Sequence, residues 1–149
     1  MFLCIFVKNT HTRFITDVES ISKATGIGKI IGNKGGVMIS LKYLGMSFCF
    51  INSHLAAKPQ NVELRKENYY DLCKHLRTGN TELESIYQFD YVFWMGDFNF
   101  RIDSWIDVIL VPFDDTVIHL NNDEMEIVQE NDQLRAQQYQ NNVFSDFAV

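Results

Sequence analysis

The feature that most constrains the fold is an apolar run that ends abruptly in polar residues, within the segment FWMGDFNFR. From Phe89 to Met95 the chain is rich in aromatic and branched side chains, a composition typical of a strand. Gly96 then lets the backbone turn tightly, because it has no side chain to clash. Since side chains alternate along an extended chain, Asp97 and Asn99 are predicted to point into one cleft. The alternative is an Asx turn, in which both side chains bond only to local backbone.

Two further predicted strands have polar residues at an end. The run GNKGG at residues 32–36 precedes one strand, and the segment FCFINSHLAA at residues 48–57 contains another that ends in polar residues and His54. Backbone amides of a glycine-rich turn can bind phosphate, and Lys34 could supply a positive charge. The spacing of a P-loop is missing, however, so an ordinary tight turn is an equal alternative for the glycines. A histidine alone is more often structural, and that alternative also stays open for His54.

Taken in this order, GNKGG, FINSHLAA and FWMGDFNFR resemble the inositol polyphosphate 5-phosphatases of the endonuclease/exonuclease/phosphatase fold. The third segment matches the first signature of that family nearly residue for residue. Arg65, Asn68 and Tyr69 add a weaker match to the helix that follows HLAA, and residues 132–144 look most like the SH2-containing branch. The resemblance implies an α/β fold, part of a two-sheet β-sandwich flanked by helices (the DNase I-like fold).

The resemblance also implies roles for particular residues. In the family, the aspartate that matches Asp97 orients and deprotonates the attacking water, and a general base contributes about 10²–10⁴ in rate. Asn99 and His54 would hold phosphoryl oxygens as negative charge shifts in the transition state. Arg101 could steady Asp97 or reach a phosphate, and an ion pair within the turn or at the surface explains it nearly as well. The expected substrate-binding residues are Asn33, Lys34, Asn52 and Arg101.

The expected cofactor is Mg²⁺, and the expected partner is the headgroup of an inositol polyphosphate or phosphoinositide, which would lose its 5-phosphate by direct water attack. The family's main metal ligands, an Asn and a Glu near its start, have no counterpart here, which leaves Asp97 and Asn99 as possible contacts. The downstream signatures Pro-x-Trp-Cys-Asp-Arg and Ser-Asp-His are also missing. We therefore expect residues 1–149 to form a partial catalytic domain, incomplete at both ends. The alternatives are an inactive truncated fragment, with a binding role or none, and a nuclease of the same fold.

Composition narrows the classes of protein further. A length of 149 residues with 46% hydrophobic and 13% aromatic side chains predicts a single globular domain with a real core. The net charge of −6 argues against a nucleic-acid partner. Three widely spaced cysteines without zinc-site spacing predict a reduced, cytoplasmic setting, with peripheral membrane contact left open. The apolar opening, residues 1–7, is too short to span a bilayer and predicts a core strand instead.

Hydrophobic periodicity predicts the remaining elements. A helix over residues 61–77 would begin after Asn61 as cap and end near Gly79, and a short helix near residues 105–111 would follow Ser104 and stop at Pro112. The other predicted elements are a buried strand over residues 2–7, an exposed strand and loop over 9–25, strands over 37–43 and 46–52, and a surface helix within 123–140.

Overall fold

The computed structural model describes residues 1–25, 33–80, 82–103 and 129–148. The chain forms two compact units, one made of residues 1–56 and 63–99 and the other of residues 57–62 and 100–149. The first unit holds the sheet.

The sheet of the first unit is mixed and runs in chain order. Strands β1 and β2, and strands β2 and β3, pair antiparallel, whereas β3 and β4 pair parallel. A parallel pair needs a crossover connection, and here the crossover includes two helices. The elements of this unit are a 3₁₀ helix (Asn9–Phe14), β1 (Ile15–Ala24), β2 (Gly35–Tyr43), β3 (Met46–His54), α1 (Val62–His75), α2 (Ser85–Gln88) and β4 (Tyr91–Asp97).

Helix α1 packs against one face of the sheet. Its buried side chains include Tyr69, Leu72 and Cys73, and Leu72 is completely shielded from solvent. Gly36 of β2 permits this close approach, because an added Cβ would lie 2.9 Å from the side chain of Leu76 and 3.0 Å from that of Leu72. The predicted helix is confirmed, although it begins at residue 62 and ends at residue 75, earlier than the glycine signal indicated.

The two faces of the sheet differ in burial, as alternation along a strand requires. Met38, Cys49 and Ile51 are at most 1% exposed and form the core on one face. The opposite face carries a stack of four aromatic rings. The ring centroids of Phe48 and Tyr91 lie 5.0 Å apart, and those of Phe50 and Phe93 lie 5.3 Å apart. The strands predicted around residues 37–43, 46–52 and 89–95 are therefore confirmed, with small shifts at their ends.

The predicted buried strand over residues 2–7 is wrong. Residues 1–8 lie outside the four strands that the described part of the chain forms, and Phe2 and Phe6 are 80% and 94% exposed. An apolar run becomes a buried strand only if a neighbouring strand pairs with it and another layer covers it, and hydrophobicity alone specifies neither condition. The exposed strand predicted within residues 9–25 is confirmed as β1.

The second unit contains the helix α3 (Gln133–Tyr139), which confirms the surface helix predicted within residues 123–140. Its N-cap is Asp132, whose side chain accepts hydrogen bonds from the backbone N–H groups of Leu134 and Arg135. Gln133 is buried, and its backbone and side chain both bond to Arg101. The helix predicted near residues 105–111, with its flanking Ser104 and Pro112, lies outside the described residues. Within the described ranges, no helix has the length and apolar character needed to span a membrane.

Candidate active site

The carboxyl ends of the parallel strands β3 and β4 bring His54 and Asp97 side by side. The two residues are paired in register, and His54 Nε2 lies 3.4 Å from Asp97 Oδ2. Their side chains are 35% and 63% exposed, so a soluble ligand can reach both. The structure thus places these two predicted site residues side by side, while their catalytic roles stay predictions.

Gly96 makes this close approach of the two strands possible. Its φ of +127° is a conformation that residues with a side chain rarely adopt. An added Cβ would lie 2.0 Å from the backbone oxygen of Ser53, which is too close for two nonbonded atoms. One residue further on, the backbone N–H of Leu55 donates to the backbone oxygen of Asp97 over 3.0 Å. The close approach at Gly96 and this backbone hydrogen bond therefore bring the backbones of His54 and Asp97 together.

Lys34 is the third charged or titratable side chain at this edge. Gly35 pairs with His54 across β2 and β3, and this register brings Lys34 Nζ to 2.5 Å from His54 Nε2. An ammonium group only donates hydrogen bonds, so this contact requires an imidazole with no proton on Nε2. A hydrogen bond from the same nitrogen to Asp97 would require that proton. Lys34 and Asp97 thus compete for one nitrogen, and an anion inserted among the three groups would find two potential donors.

The turn after β4 contains a local hydrogen bond that orients the Asp97 carboxylate. The backbone N–H of Asn99 donates to Asp97 Oδ1 over 3.0 Å, which is the hydrogen bond of the Asx turn given above as the alternative. This bond leaves Oδ2, the atom nearest His54, available for other partners. A local turn therefore orients the carboxylate without occupying both of its oxygens.

Asn99 itself is buried, in contrast to the exposed Asp97. It is 7% exposed, has a φ of +57°, and donates from its side-chain Nδ2 to the backbone oxygen of Leu55 over 3.0 Å. Its positive φ breaks the alternation on which the shared direction of the two side chains was predicted. The contact of Asn99 with substrate or metal stays a prediction.

The remaining predicted substrate-binding residues have different surroundings. Asn52 lies two positions before His54 on β3 and donates from Nδ2 to the backbone oxygen of Phe2 over 3.1 Å. Asn33 is exposed just before β2, while Gly32 lies outside the described residues. Arg101 is exposed and belongs to the second unit, where its backbone bonds to Gln133. The substrate contacts assigned to these residues from the sequence stay predictions.

Sequence analysis noted Arg65 and Asn68 only as a weak match to the family's helix, and the structure shows that both support the end of β3 from α1. Asn68 accepts a hydrogen bond from the backbone N–H of Ala56 over 3.1 Å, and Arg65 donates to the backbone oxygen of the same residue over 3.3 Å. Both side chains are at least nine-tenths buried. The polar residues Arg65 and Asn68 on the otherwise core-facing side of the predicted helix were the available signal, since a buried polar group needs a partner.

Neither buried thiol is suited to act as a nucleophile. Burial raises the pKa of Cys49 to about 12 and that of Cys73 also to about 12, so both remain protonated near neutral pH. Among the described residues, no group of three His, Cys, Asp or Glu side chains is arranged to hold a metal ion. The groups available for chemistry at this site are therefore one exposed carboxylate, an imidazole and an ammonium group.

The chain has a mixed sheet flanked by a helix, with these groups at the ends of parallel strands. This architecture places it in the DNase I-like class of α/β proteins. Comparison with known proteins identifies the family within that class. The family model described as "Endonuclease/Exonuclease/phosphatase family 2" matches residues 1–148. The chain belongs to this family.

Its similar relatives include 5-phosphatases. Synaptojanin-2 from Rattus norvegicus is 37% identical over 145 residues, which cover 97% of this chain and 9% of the relative. The phosphatidylinositol 3,4,5-trisphosphate 5-phosphatase 2A from Danio rerio is 34% identical over 149 residues, covering 98% of this chain and 11% of the relative. These two identities are close, so the branch suggested by residues 132–144 stays a prediction.

A solved structure agrees with the sequence matches. The inositol polyphosphate 5-phosphatase domain (IPP5C) of SPsynaptojanin, in complex with inositol (1,4)-bisphosphate and calcium ion, is 35% identical with a TM-score of 0.72. The match covers 91% of this chain and 36% of that domain chain. The resemblance to the inositol polyphosphate 5-phosphatases read from three short segments is thus confirmed, and the chain spans only a fraction of the length of each of these relatives.

Proposed function

We propose that this protein removes the 5-phosphate from inositol polyphosphates or phosphoinositide headgroups by direct attack of water, with Mg²⁺ as cofactor. The observation that carries the proposal is the cluster of His54, Asp97 and Lys34 at the carboxyl ends of β3 and β4. The similarity to a 5-phosphatase domain that binds an inositol bisphosphate supports this substrate class.

The phosphate-binding part of the proposal rests on Lys34 and His54. Their nitrogens are 2.5 Å apart, so a phosphoryl oxygen would take the place of this contact. Lys34 would donate from its ammonium group, and His54 would donate from Nε2 once a proton resides there. Both bonds strengthen as negative charge moves onto the phosphoryl oxygens during the reaction.

The water-activating part rests on Asp97. Its Oδ1 is held by the Asn99 backbone, while Oδ2 faces the phosphate-binding nitrogens and is reachable from solvent. Oδ2 would accept a proton from the attacking water as the new oxygen–phosphorus bond forms in line with the bond that breaks. The inositol oxygen leaves on the opposite side and takes up a proton from solvent, so no covalent enzyme intermediate is needed.

The donor set is compatible with Mg²⁺ as a partial site. This ion is commonly held by one or two carboxylates together with phosphate oxygens of the substrate, and Asp97 is an exposed carboxylate beside the proposed phosphate position. When bound, Mg²⁺ would supply positive charge that stabilises the leaving oxygen.

The proposal is tested by phosphate release from a soluble inositol polyphosphate, with Mg²⁺ and with a chelator. Asp97→Asn is the informative variant, because its amide oxygen can still accept the Asn99 N–H while its basicity is lost. We expect release to depend on Mg²⁺ and to fall by about 10²–10⁴ in Asp97→Asn. The melting temperature should change little, and the truncation Asp97→Ala should likewise lose phosphate release.

Asp17→Asn is the matched control, since Asp17 is a similarly exposed carboxylate, 57% against 63%, on the distant strand β1. This control should release phosphate at the rate of the original protein. A folded protein that releases no phosphate, or an Asp97→Asn variant with full activity, would contradict the proposal. Cleavage of duplex DNA, with binding steeply dependent on salt, would instead favour a nuclease.

A further inference from the structure

One hydrogen bond links the two strands immediately before the His54 and Asp97 pair. Trp94 on β4 donates from its indole Nε1 to the hydroxyl of Ser53 on β3 over 2.9 Å. Ser53 is 1% exposed and directly precedes His54 in the chain. Because successive side chains alternate, Ser53 and Trp94 occupy the face of the sheet opposite to the two candidate catalytic side chains.

The indole is held in turn by helix α1. The ring of Tyr69, itself 6% exposed, stacks on Trp94 with centroids 5.1 Å apart and an interplanar angle of 27°. Such aromatic pairs contribute beyond their buried area. A continuous set of contacts therefore runs from Tyr69 through Trp94 to Ser53 and ends one residue from His54.

We propose that Ser53 and Trp94 are positioning residues, which act through their mutual hydrogen bond to hold His54 and Asp97 at the spacing that the reaction needs. The proposal rests on the proposed function for its catalytic consequence. Its geometric part stands on the contact itself, because the bond joins β4 to the residue directly before His54, close to the last paired residues of the two strands. A displacement of about 1 Å in a reacting group can cost 10²-fold in rate, so a modest loosening should be measurable.

The first measurement is the long-range ¹H–¹⁵N spectrum of the His54 imidazole, assigned with a His54→Gln variant. The nitrogen shifts report which ring nitrogen carries the proton and whether its partners change. We expect both Ser53→Ala and Trp94→Phe to shift the His54 signals. Two variants are used because either one removes the same hydrogen bond from a different side, and Trp94→Phe retains an aromatic ring against Tyr69.

Ser40→Ala is the matched control for the loss of a buried hydroxyl. Ser40 lies on β2, is 3% exposed, and makes a 2.7 Å hydrogen bond with the equally buried Thr78. It should lower the melting temperature to a similar extent as Ser53→Ala, yet leave the His54 signals unchanged. Equal effects of Ser40→Ala and Ser53→Ala on His54, or no effect of Ser53→Ala and Trp94→Phe, would overturn the proposal.

The second measurement is steady-state hydrolysis of a soluble inositol polyphosphate. Ser53→Ala and Trp94→Phe should each lower kcat about tenfold with KM changed less than about twofold, since the variants disturb alignment rather than binding. The double variant should be no slower than the worse single variant, because both changes remove one bond. If the original protein releases no phosphate, the proposed function fails, while the His54 spectra still decide whether Ser53 and Trp94 position the pair.

Discussion

At one end of the parallel strands β3 and β4, Ser47 faces Asp90, and at the other end His54 faces Asp97. In the first pair, Asp90 Oδ2 accepts hydrogen bonds from the Ser47 backbone over 2.8 Å and from its hydroxyl over 2.7 Å, and the Asp90 N–H donates back to that hydroxyl over 2.9 Å. In the second pair, the nearest nitrogen and oxygen atoms are 3.4 Å apart, beyond the usual length of a hydrogen bond.

The difference separates a structural carboxylate from one that is available for chemistry. Asp90 directs its carboxylate at short-range partners, and the hydrogen bonds from the Ser47 backbone and hydroxyl lower its pKa. Asp97 has one oxygen oriented by a turn and the other beside an imidazole that Lys34 also contacts. Asp90 bonds across the strands through one oxygen, and this contact fastens the start of β4 to β3. Asp97 makes its hydrogen bond within its own turn, which leaves the oxygen that faces His54 able to take a ligand.

The largest expected effect on stability comes from Gly96→Ala, at the candidate active end of the strand pair. The new Cβ would meet the Ser53 backbone oxygen, and φ at this position is +127°. Overpacking and backbone strain together should lower the free energy of unfolding by about 3 kcal/mol or more. Chemical denaturation followed by circular dichroism measures this change.

Gly45→Ala is the control for the contribution of backbone strain. Gly45, in the turn between β2 and β3, also has a positive φ, +85°, but no atom lies within 4 Å of an added Cβ. It should cost only about 1 kcal/mol. If the two variants were equally stable, the close approach of β3 and β4 at Gly96 would not be the constraint that sets the spacing of His54 and Asp97.

A smaller effect is expected from Asn99, which links the active-end turn to β3. Asn99→Ala removes the donor to the Leu55 backbone oxygen. It also places alanine at a φ of +57°, which alanine rarely adopts. Together these changes should lower the free energy of unfolding by about 1–3 kcal/mol. Asn99→Gly removes the same donor but tolerates the backbone angle, so it should be the more stable of the two variants. Thermal unfolding of both variants separates the hydrogen bond from the strain.

Activity measurements on Asn99→Gly then sharpen the role of this residue. A variant that unfolds at a lower temperature but retains its kcat once folded would assign Asn99 to holding the turn. A loss of kcat far larger than the loss of stability would support the predicted contact with a phosphoryl oxygen.

The elements that sequence reasoning predicted well are those with local signals. Alternating apolar residues specify β2, a continuous apolar run specifies β3, and helical spacing specifies α1. Polar residues at the ends of two apolar runs marked His54 and Asp97 as site residues, but they did not indicate that the two lie side by side. Each of these patterns is written in consecutive residues. The three short segments carried the family resemblance for the same reason.

What could not be predicted depends on partners distant in the chain. Asn99 bonds to Leu55, 44 positions earlier, and Trp94 bonds to Ser53, 41 positions earlier. Nothing in the turn sequence indicates that the Asn99 amide is buried, or that the indole of Trp94 finds a hydroxyl acceptor. The apolar run at residues 2–7 failed as a strand prediction because a strand also needs a pairing neighbour, which no local pattern encodes.

The smallest expected effect lies at the structural end of the strand pair and depends on pH. The pKa of Asp90 is lower in the folded protein than its ordinary value of 3.8, so its ionised form stabilises the fold. This contribution is present above that ordinary value and is lost as pH falls through the lowered folded pKa. The stability difference between the original protein and Asp90→Asn should therefore be larger at neutral pH and shrink at acidic pH. Urea denaturation at several pH values measures it.

Ser47→Ala provides the companion to that measurement, because it removes the hydroxyl donor while the backbone donor remains. In this background the pH-dependent difference caused by Asp90→Asn should be smaller. A difference that stays constant from neutral to acidic pH would contradict the role assigned to Asp90. Asp90→Asn should also leave phosphate release unchanged, in contrast to Asp97→Asn, because a carboxylate that only fastens the strands contributes nothing to the reaction at their opposite end.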